Sequence, residues 1–288
     1  MSGDCFQFKQ FRIVQDRCAM KVGTDGVLLG AWASLGAAAP PLEAADAPLR
    51  RPSAQTLPPL RILDIGTGTG LVALMLAQRA ASRVWGHRAF SVTAVEREAA
   101  AASQARGNAA ASPWAAMVTV ITADARHWQP SAPAEPAAMT PAPPAAPLDS
   151  AAAATGQPLS ASERSVAPQF DLIVCNPPFY ANYLKSPDAA RNAARHDDGL
   201  TLDDLCRMAS AWLKPAPAAL SLILPAGREQ DAMEAAARHG LHPVRRCHVF
   251  TSPAATAPSR VLLSLGCPPA DSAPPAASLT ETLRLYSP

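Results

Sequence analysis

Within the 288 residues, one short run has the residue types for chemistry on a nitrogen atom: Asn176-Pro177-Pro178-Phe179-Tyr180, directly after the apolar run that begins at Phe170 and ends at Cys175. Two prolines in series cannot donate to a sheet ladder, and Pro177 turns Asn176 away from the helical region, so an apolar strand must stop here. At its end stand an amide with both a donor and an acceptor, proline carbonyls without a competing N–H, and a flat ring. Such a set can hold a planar amino group. The carbonyl oxygens of Asn176 and Pro177 accept its two hydrogens, the lone pair points out of the plane, and Phe179 covers the attached ring, which readies the nitrogen for alkylation. Asn and Pro are also ordinary turn residues, so the upstream chain has to decide between the two readings.

Upstream, Arg61-Ile62-Leu63-Asp64-Ile65 runs into Gly66-Thr67-Gly68-Thr69-Gly70 and then into the helical pattern of Leu71 to Ala77. A strand, a glycine turn and a helix let backbone approach a ligand closely and leave helix N–H groups open to it. The spacing is G-x-G-x-G, unlike the dinucleotide G-x-G-x-x-G, and no Lys-Ser/Thr follows as in a phosphate loop. Asp64 would repel a pyrophosphate and attract a cationic or amino-bearing cofactor, which points to S-adenosylmethionine. Two more acids close strand-like runs: Glu96 after Phe90 to Val95, placed to accept from ribose hydroxyls, and Asp124 after Val118 to Ala123, placed to accept from an adenine amine. Each acid alone is more often a helix cap or a solvated loop residue. Together with Asn176 they fall at the carboxyl ends of four successive strands, the edge at which α/β sheets bind ligands.

The elements that must position these groups follow from pattern. Further strands are expected over Leu220–Leu224, Val244–Phe250 and Val261–Leu265. A helix opens at a Thr201–Asp204 capping box, and another runs from Asp231 to His239. The last apolar stretch is Leu279 to Tyr286. Ahead of the core, Thr24 or Asp25 can cap a short apolar helix, and the glycines of Gly23-Thr24-Asp25-Gly26 suggest close packing near a ligand. The N-terminal arm, Cys5 to Arg12, alternates aromatic and polar residues. It reads either as an edge strand with its rings in the core or as a surface where rings stack on bases and cations meet phosphates.

Composition sets the bounds. Lys and Arg total 25 against 23 Asp and Glu, a net charge of +2, so any nucleic-acid footprint has to be local. The six cysteines form no C-x-x-C pair, and the histidines show no metal spacing, which gives the expectation of no metal and of reduced thiols. Without a basic start followed by an apolar run, and without a membrane-length apolar segment, the expectation is an unprocessed cytoplasmic protein with no membrane association and no obligate protein partner. Residues 131–168 hold 21 Ala or Pro in 38 positions and cannot bury a core. The expected organisation is therefore an N-terminal arm and cofactor-side helix over 1–36, an Ala/Pro-rich linker or insertion over 37–59, and a catalytic domain over 60–288 interrupted by a disordered insertion at 131–168.

The segments Lys21-Val22-Gly23-Thr24-Asp25-Gly26-Val27-Leu28-Leu29-Gly30-Ala31-Trp32, Leu63 to Leu71, Ala94-Val95-Glu96, Ala111-Ser112-Pro113-Trp114 and Asn176 to Tyr180 closely resemble the bacterial valine-tRNA adenine-N6 methyltransferases. The resemblance covers most of residues 5 to 36, 60 to 129 and 170 to 266; the segments around Thr24 and Trp114 are its more specific parts. It implies an α/β, Rossmann-like class I methyltransferase fold with a seven-stranded, mostly parallel sheet and an antiparallel final hairpin. It also implies S-adenosylmethionine as cofactor and tRNA as partner, with methylation of the adenosine 3′ of the anticodon.

By this resemblance the cofactor falls to Thr24, Asp25, Asp64, Gly66, Thr67, Gly68, Gly70, Glu96, Asp124 and Asn176, and the target base to Asn176, Pro177, Pro178 and Phe179. Phe8, Lys9, Arg12, Arg17, Lys21, Tyr180 and Arg195 are the candidates for RNA contact. Departures from the family are the two Ala/Pro-rich insertions and an earlier C-terminus, none of which touches a motif. The competing readings are a guanine-N2 rRNA methyltransferase, a protein glutamine N-methyltransferase, and a non-catalytic protein that retains the fold to bind S-adenosylmethionine or RNA.

Overall fold

The computed structural model describes residues 4–36, 58–82, 88–130, 170–177, 199–267 and 278–285. Residues 131–168, most of 37–59, and the positions Pro178, Phe179, Tyr180 and Arg195 lie outside the described residues. One compact unit contains Met1–Trp128 and Gln169–Pro288, so the N-terminal arm belongs to the same unit as the sheet.

Ten strands are described: β1 (Cys5–Gln7), β2 (Arg12–Val14), β3 (Leu60–Ile65), β4 (Phe90–Glu96), β5 (Val118–Thr122), β6 (Leu172–Cys175), β7 (Ala219–Pro225), β8 (His242–Phe250), β9 (Arg260–Gly266) and β10 (Leu279–Arg284). The helices among the described residues are α1 (Thr24–Trp32), α2 (Leu71–Ala80), α3 (Ala99–Ala110), α4 (Leu202–Trp212) and α5 (Glu229–Arg238). The main sheet runs β10-β8-β9-β7-β6-β3-β4-β5. Strands β7, β6, β3, β4 and β5 are parallel neighbours, and β9 is antiparallel to both β7 and β8. This is the expected Rossmann-like sheet with its antiparallel hairpin. Its central strands are largely apolar because helices cover both faces: β6 is buried at every position, and β7 at all but its last.

An eighth strand extends the expected seven. β10 pairs in parallel with the outer side of β8. The sequence shows it only as an apolar stretch, because its Leu-Thr-Glu-Thr-Leu-Arg pattern leaves Leu279 and Leu283 outward at 59% and 37% exposure. Polar bonds hold it instead: Glu281 accepts from Arg245 Nε (3.0 Å) and from Trp32 Nε1 (2.8 Å), and the Arg245 guanidinium lies 4.4 Å from the Trp32 ring centroid.

Two core layers flank the sheet. On one face α1 and α2 pack with Leu29, Leu74 and Leu76 fully buried; on the other, α4 and α5 bury Leu205, Trp212 and Ala232. The glycines of α1 serve this packing. A Cβ at Gly26 would sit 3.0 Å from Leu71, and one at Gly30 2.7 Å from Met75 Sδ, so both positions let α1 press onto α2. The expected cap by Thr24 or Asp25 does not form: the N-cap is Gly23, in extended conformation and without a side-chain bond. Asp25 is instead drawn to an arginine across the cavity described below. The Thr201–Asp204 capping box forms as expected, each side chain bonding the other residue's N–H.

The N-terminal arm is a two-stranded hairpin with one face in the core. Phe11 and Ile13 are core residues, Phe8 stacks on Phe11 at 4.6 Å, and Phe11 meets Trp114 edge-on at 5.8 Å. Phe6 faces outward at 46% exposure, and Lys9, Arg12 and Arg17 are exposed. The buried side chain of Asn108, on α3, fixes the hairpin. It accepts from Val14 N (2.9 Å) and donates to Val14 O (2.9 Å) and Thr69 O (2.8 Å), so it joins the arm to the glycine turn.

Candidate functional site

The carboxyl ends of β3, β4, β5 and β6 lie side by side, as their parallel registers require, and bring Asp64, Glu96, Asp124 and Asn176 to one edge of the sheet. A cavity of about 760 Å³ opens along this edge. Asp64, Gly66, Thr67, Gly68 and Asn176 line it from the sheet, and Lys21, Thr24 and Asp25 from the start of α1.

Gly66 and Gly68 have φ of +71° and +56°, a left-handed region that side chains rarely adopt. A Cβ on Gly66 would meet nothing within 4 Å, so the turn presents bare backbone to open space. Gly70 (φ +83°) is the N-cap of α2, and its missing Cβ faces Ala105 at 3.4 Å. It is the helix-packing member of the three glycines, and it does not line the cavity.

Asp64 is buried beneath this turn. Its Oδ2 accepts from Thr67 Oγ1 (2.6 Å) and Ala73 N (3.1 Å), yet burial pushes the carboxyl up to about 7, the two hydrogen bonds opposing the shift and the Glu96 charge adding to it. Among the described residues no cation pairs with this acid. Glu96, nearly buried, is held by backbone: Gly68 N donates to Oε2 (2.8 Å) and Glu98 N to Oε1 (2.9 Å). Its carboxylate thus fixes the glycine turn and retains lone pairs for further donors.

Asp124 is gripped by its own neighbour. Arg126 Nη2 donates to Oδ2 at 2.6 Å and Arg126 N to Oδ1 at 3.0 Å, and this pairing lowers the carboxyl to about 2. Neither Glu96 nor Asp124 lines the cavity itself.

At the end of β6, Asn176 is half-buried and Pro177 buried. The Asn176 amide nitrogen lies 4.0 Å from Met20 Sδ. Cys175, immediately before, is fully enclosed, and burial first, then the charges of Asp64 and Glu96, hold its thiol far above the ordinary range. It cannot serve as a thiolate nucleophile.

Several lining residues carry no sequence signal. Arg260, at the start of β9, donates from Nε to both oxygens of Asp25 (3.1 and 2.9 Å) and so ties the antiparallel strand to α1 across the cavity. Met20, Pro225, Thr251 and Leu285 line it as well. None sits in a recognisable motif; Pro225, Thr251 and Arg260 reach this edge through the strand order, in which β7 lies beside β6, β9 beside β7 and β8 beside β9, and Met20 reaches it on the loop before α1. Of the candidate RNA contacts, Lys21 lines the cavity, whereas Phe8, Lys9, Arg12 and Arg17 lie on the hairpin and the turn after it. Among the described residues no helix is long and apolar enough to cross a membrane, and no three His, Cys, Asp or Glu side chains stand close enough to hold a metal ion.

No family model matches the chain. Relatives of known name do. The tRNA1(Val) (adenine(37)-N6)-methyltransferase of Bacteroides fragilis is 36% identical over 264 residues, spanning 92% of this chain and 84% of its own. That of Tolumonas auensis is 36% identical over 288 residues (100% and 94%), and that of Porphyromonas gingivalis 38% over 287 residues (99% and 89%). Among solved structures, a TehB-like SAM-dependent methyltransferase of Corynebacterium glutamicum aligns with a TM-score of 0.41 at 14% identity, covering 74% of this chain and 83% of that one; the fold is defined here by the strand order itself. With identity of this level sustained along nearly the whole chain, the protein belongs to the tRNA1(Val) (adenine(37)-N6)-methyltransferase family.

Proposed function

We propose that the protein transfers the sulfonium methyl group of S-adenosylmethionine to the exocyclic N6 of adenosine-37 in a tRNA1(Val). The observation that carries this reading is that the acid and glycine turn of β3 and the amide at the end of β6 line one cavity. A cofactor site and an amine-gripping site then share a single space.

The residues fit the cofactor. Asp64 is a buried acid with no cation beside it among the described residues, the Gly66–Gly68 turn offers bare backbone, and Glu96 stands behind that turn with unused acceptor capacity. In this reading Asp64 and the turn hold the methionine end and Glu96 the ribose, with Thr24 and Asp25 closing the site from α1. Asp124 meets the adenine once its pairing with Arg126 is shared or exchanged. When bound, S-adenosylmethionine would supply an electrophilic methyl on a cationic sulfur and leave as the neutral thioether S-adenosylhomocysteine, while N6 gives up one of its two protons to solvent.

The chain's own residues do the rest by position. The target adenine leaves its stack, which costs less in an anticodon loop than in a duplex. The oxygens of Asn176 and Pro177 accept the two N6 hydrogens and fix the lone pair toward the methyl carbon. As positive charge grows on nitrogen these acceptors bind more strongly, so they favour the transition state over the ground state. Holding the two reacting atoms near attack distance is worth roughly 7–11 kcal/mol. No covalent enzyme intermediate is required, in keeping with the enclosed, protonated Cys175.

The test is to incubate the protein with S-adenosylmethionine and unmodified tRNA1(Val), digest the tRNA, and analyse its nucleosides by mass spectrometry. N6-methyladenosine is the expected product. Methylguanosine, or methyl accepted only by rRNA or protein amides, would refute the reading.

A further inference from the structure

Met20 is 44% exposed, one of few large apolar side chains left outward among the described residues. Its place distinguishes it: it lines the same cavity as Asp64 and Asn176, with its sulfur 4.0 Å from the Asn176 amide nitrogen. The segment that carries it is pinned at both ends. Gln15 Oε1 accepts from Val22 N at 2.7 Å, which closes residues 15–22 into a loop, and Arg17 N donates to Gln104 Oε1 at 3.1 Å, which fastens that loop to α3. Cys18, within the loop, lies over the glycine turn, its Sγ 3.7 Å from where a Gly68 Cβ would be. The loop therefore spans from the turn at one end to Asn176 at the other.

From this geometry we infer that Met20 is a positioning residue whose thioether packs against the face of the target base. The inference rests on the function proposed above. Asn176 presents hydrogen-bonding atoms, which can engage only the edge of a planar base. A group beside Asn176 then meets the face or the rim of the same ring. A thioether suits that contact: it is apolar, polarisable, attracted to aromatic rings and conformationally adaptable.

The test compares wild type, Met20→Ala and Met20→Leu in steady-state methylation of unmodified tRNA1(Val), with S-adenosylmethionine binding measured by calorimetry on the same proteins. Met20→Ala should raise KM for tRNA or lower kcat so that kcat/KM falls about 3- to 10-fold, with cofactor affinity unchanged. Met20→Leu, which restores apolar bulk, should recover most of that loss. An unchanged kcat/KM in Met20→Ala, or a matching loss of cofactor affinity, overturns the inference while leaving the proposed function intact. A wild-type protein that methylates no tRNA overturns both.

Discussion

At the residue scale the site is built from two groups with opposite needs. Asp64 is an acid kept out of water. Its carboxyl, pushed up to about 7 from 3.8, holds a proton in the folded chain that the unfolded chain gives up. This group's contribution to stability is thus present below pH 3.8 and lost as pH rises through about 7. A cation bound beside it draws it back to the ionised form. S-adenosylmethionine binding near pH ~6.5 should therefore release a proton, readable by calorimetry in two buffers of different ionisation heat, and Asp64→Asn should abolish the release. An equal release from the variant would show that another group titrates. Asn176 is the opposite case: a neutral amide whose value lies in direction. Asn176→Ala should cut kcat about 100-fold or more, the usual scale for removing a preorganised polar group at a reacting centre. Cofactor affinity should change little; a variant that retains turnover would contradict the grip on the amine.

At the scale of elements, the N-terminal hairpin is secured by one buried side chain. Asn108 satisfies both backbone groups of Val14 and one of Thr69, so Asn108→Ala leaves three polar groups without a partner. The loss should be about 2–4 kcal/mol in urea unfolding, and cofactor affinity should weaken because Thr69 belongs to the glycine turn. A loss below 1 kcal/mol would show that water takes over these bonds. Asn108 carries no motif, and nothing in sequence marks it: an Asn inside an alanine-rich helix looks like a weak helix former until the hairpin is seen to pack on it. Trp114 is similar. It stood out by resemblance alone, and the structure gives it a physical role as the ring against which Phe11 packs. The capping box at Thr201, by contrast, was legible because all of its partners lie within four residues.

For the whole molecule, the strand order joins what the sequence holds far apart. Asp64 and Asn176 are 112 positions apart, yet each is predictable from its own strand end, since short apolar runs closed by a polar residue reveal both the strand and the edge at which it stops. Arg260, Thr251, Pro225 and Met20 could not be read that way. Their presence at the cavity depends on β9 entering antiparallel beside β7 and on a loop fastened by Gln15 and Gln104. β10 was visible only as an apolar stretch, because an edge strand held by Arg245, Glu281 and Trp32 carries little hydrophobic signal. The central claim is that this single cavity brings a methyl donor to one adenine amine. The measurement that tests it most directly is methyl transfer from labelled S-adenosylmethionine into two transcripts of tRNA1(Val), one unaltered and one with adenosine-37 replaced by guanosine. One methyl group per unaltered transcript and none in the substituted transcript is the predicted result, and equal labelling of the two would contradict the claim.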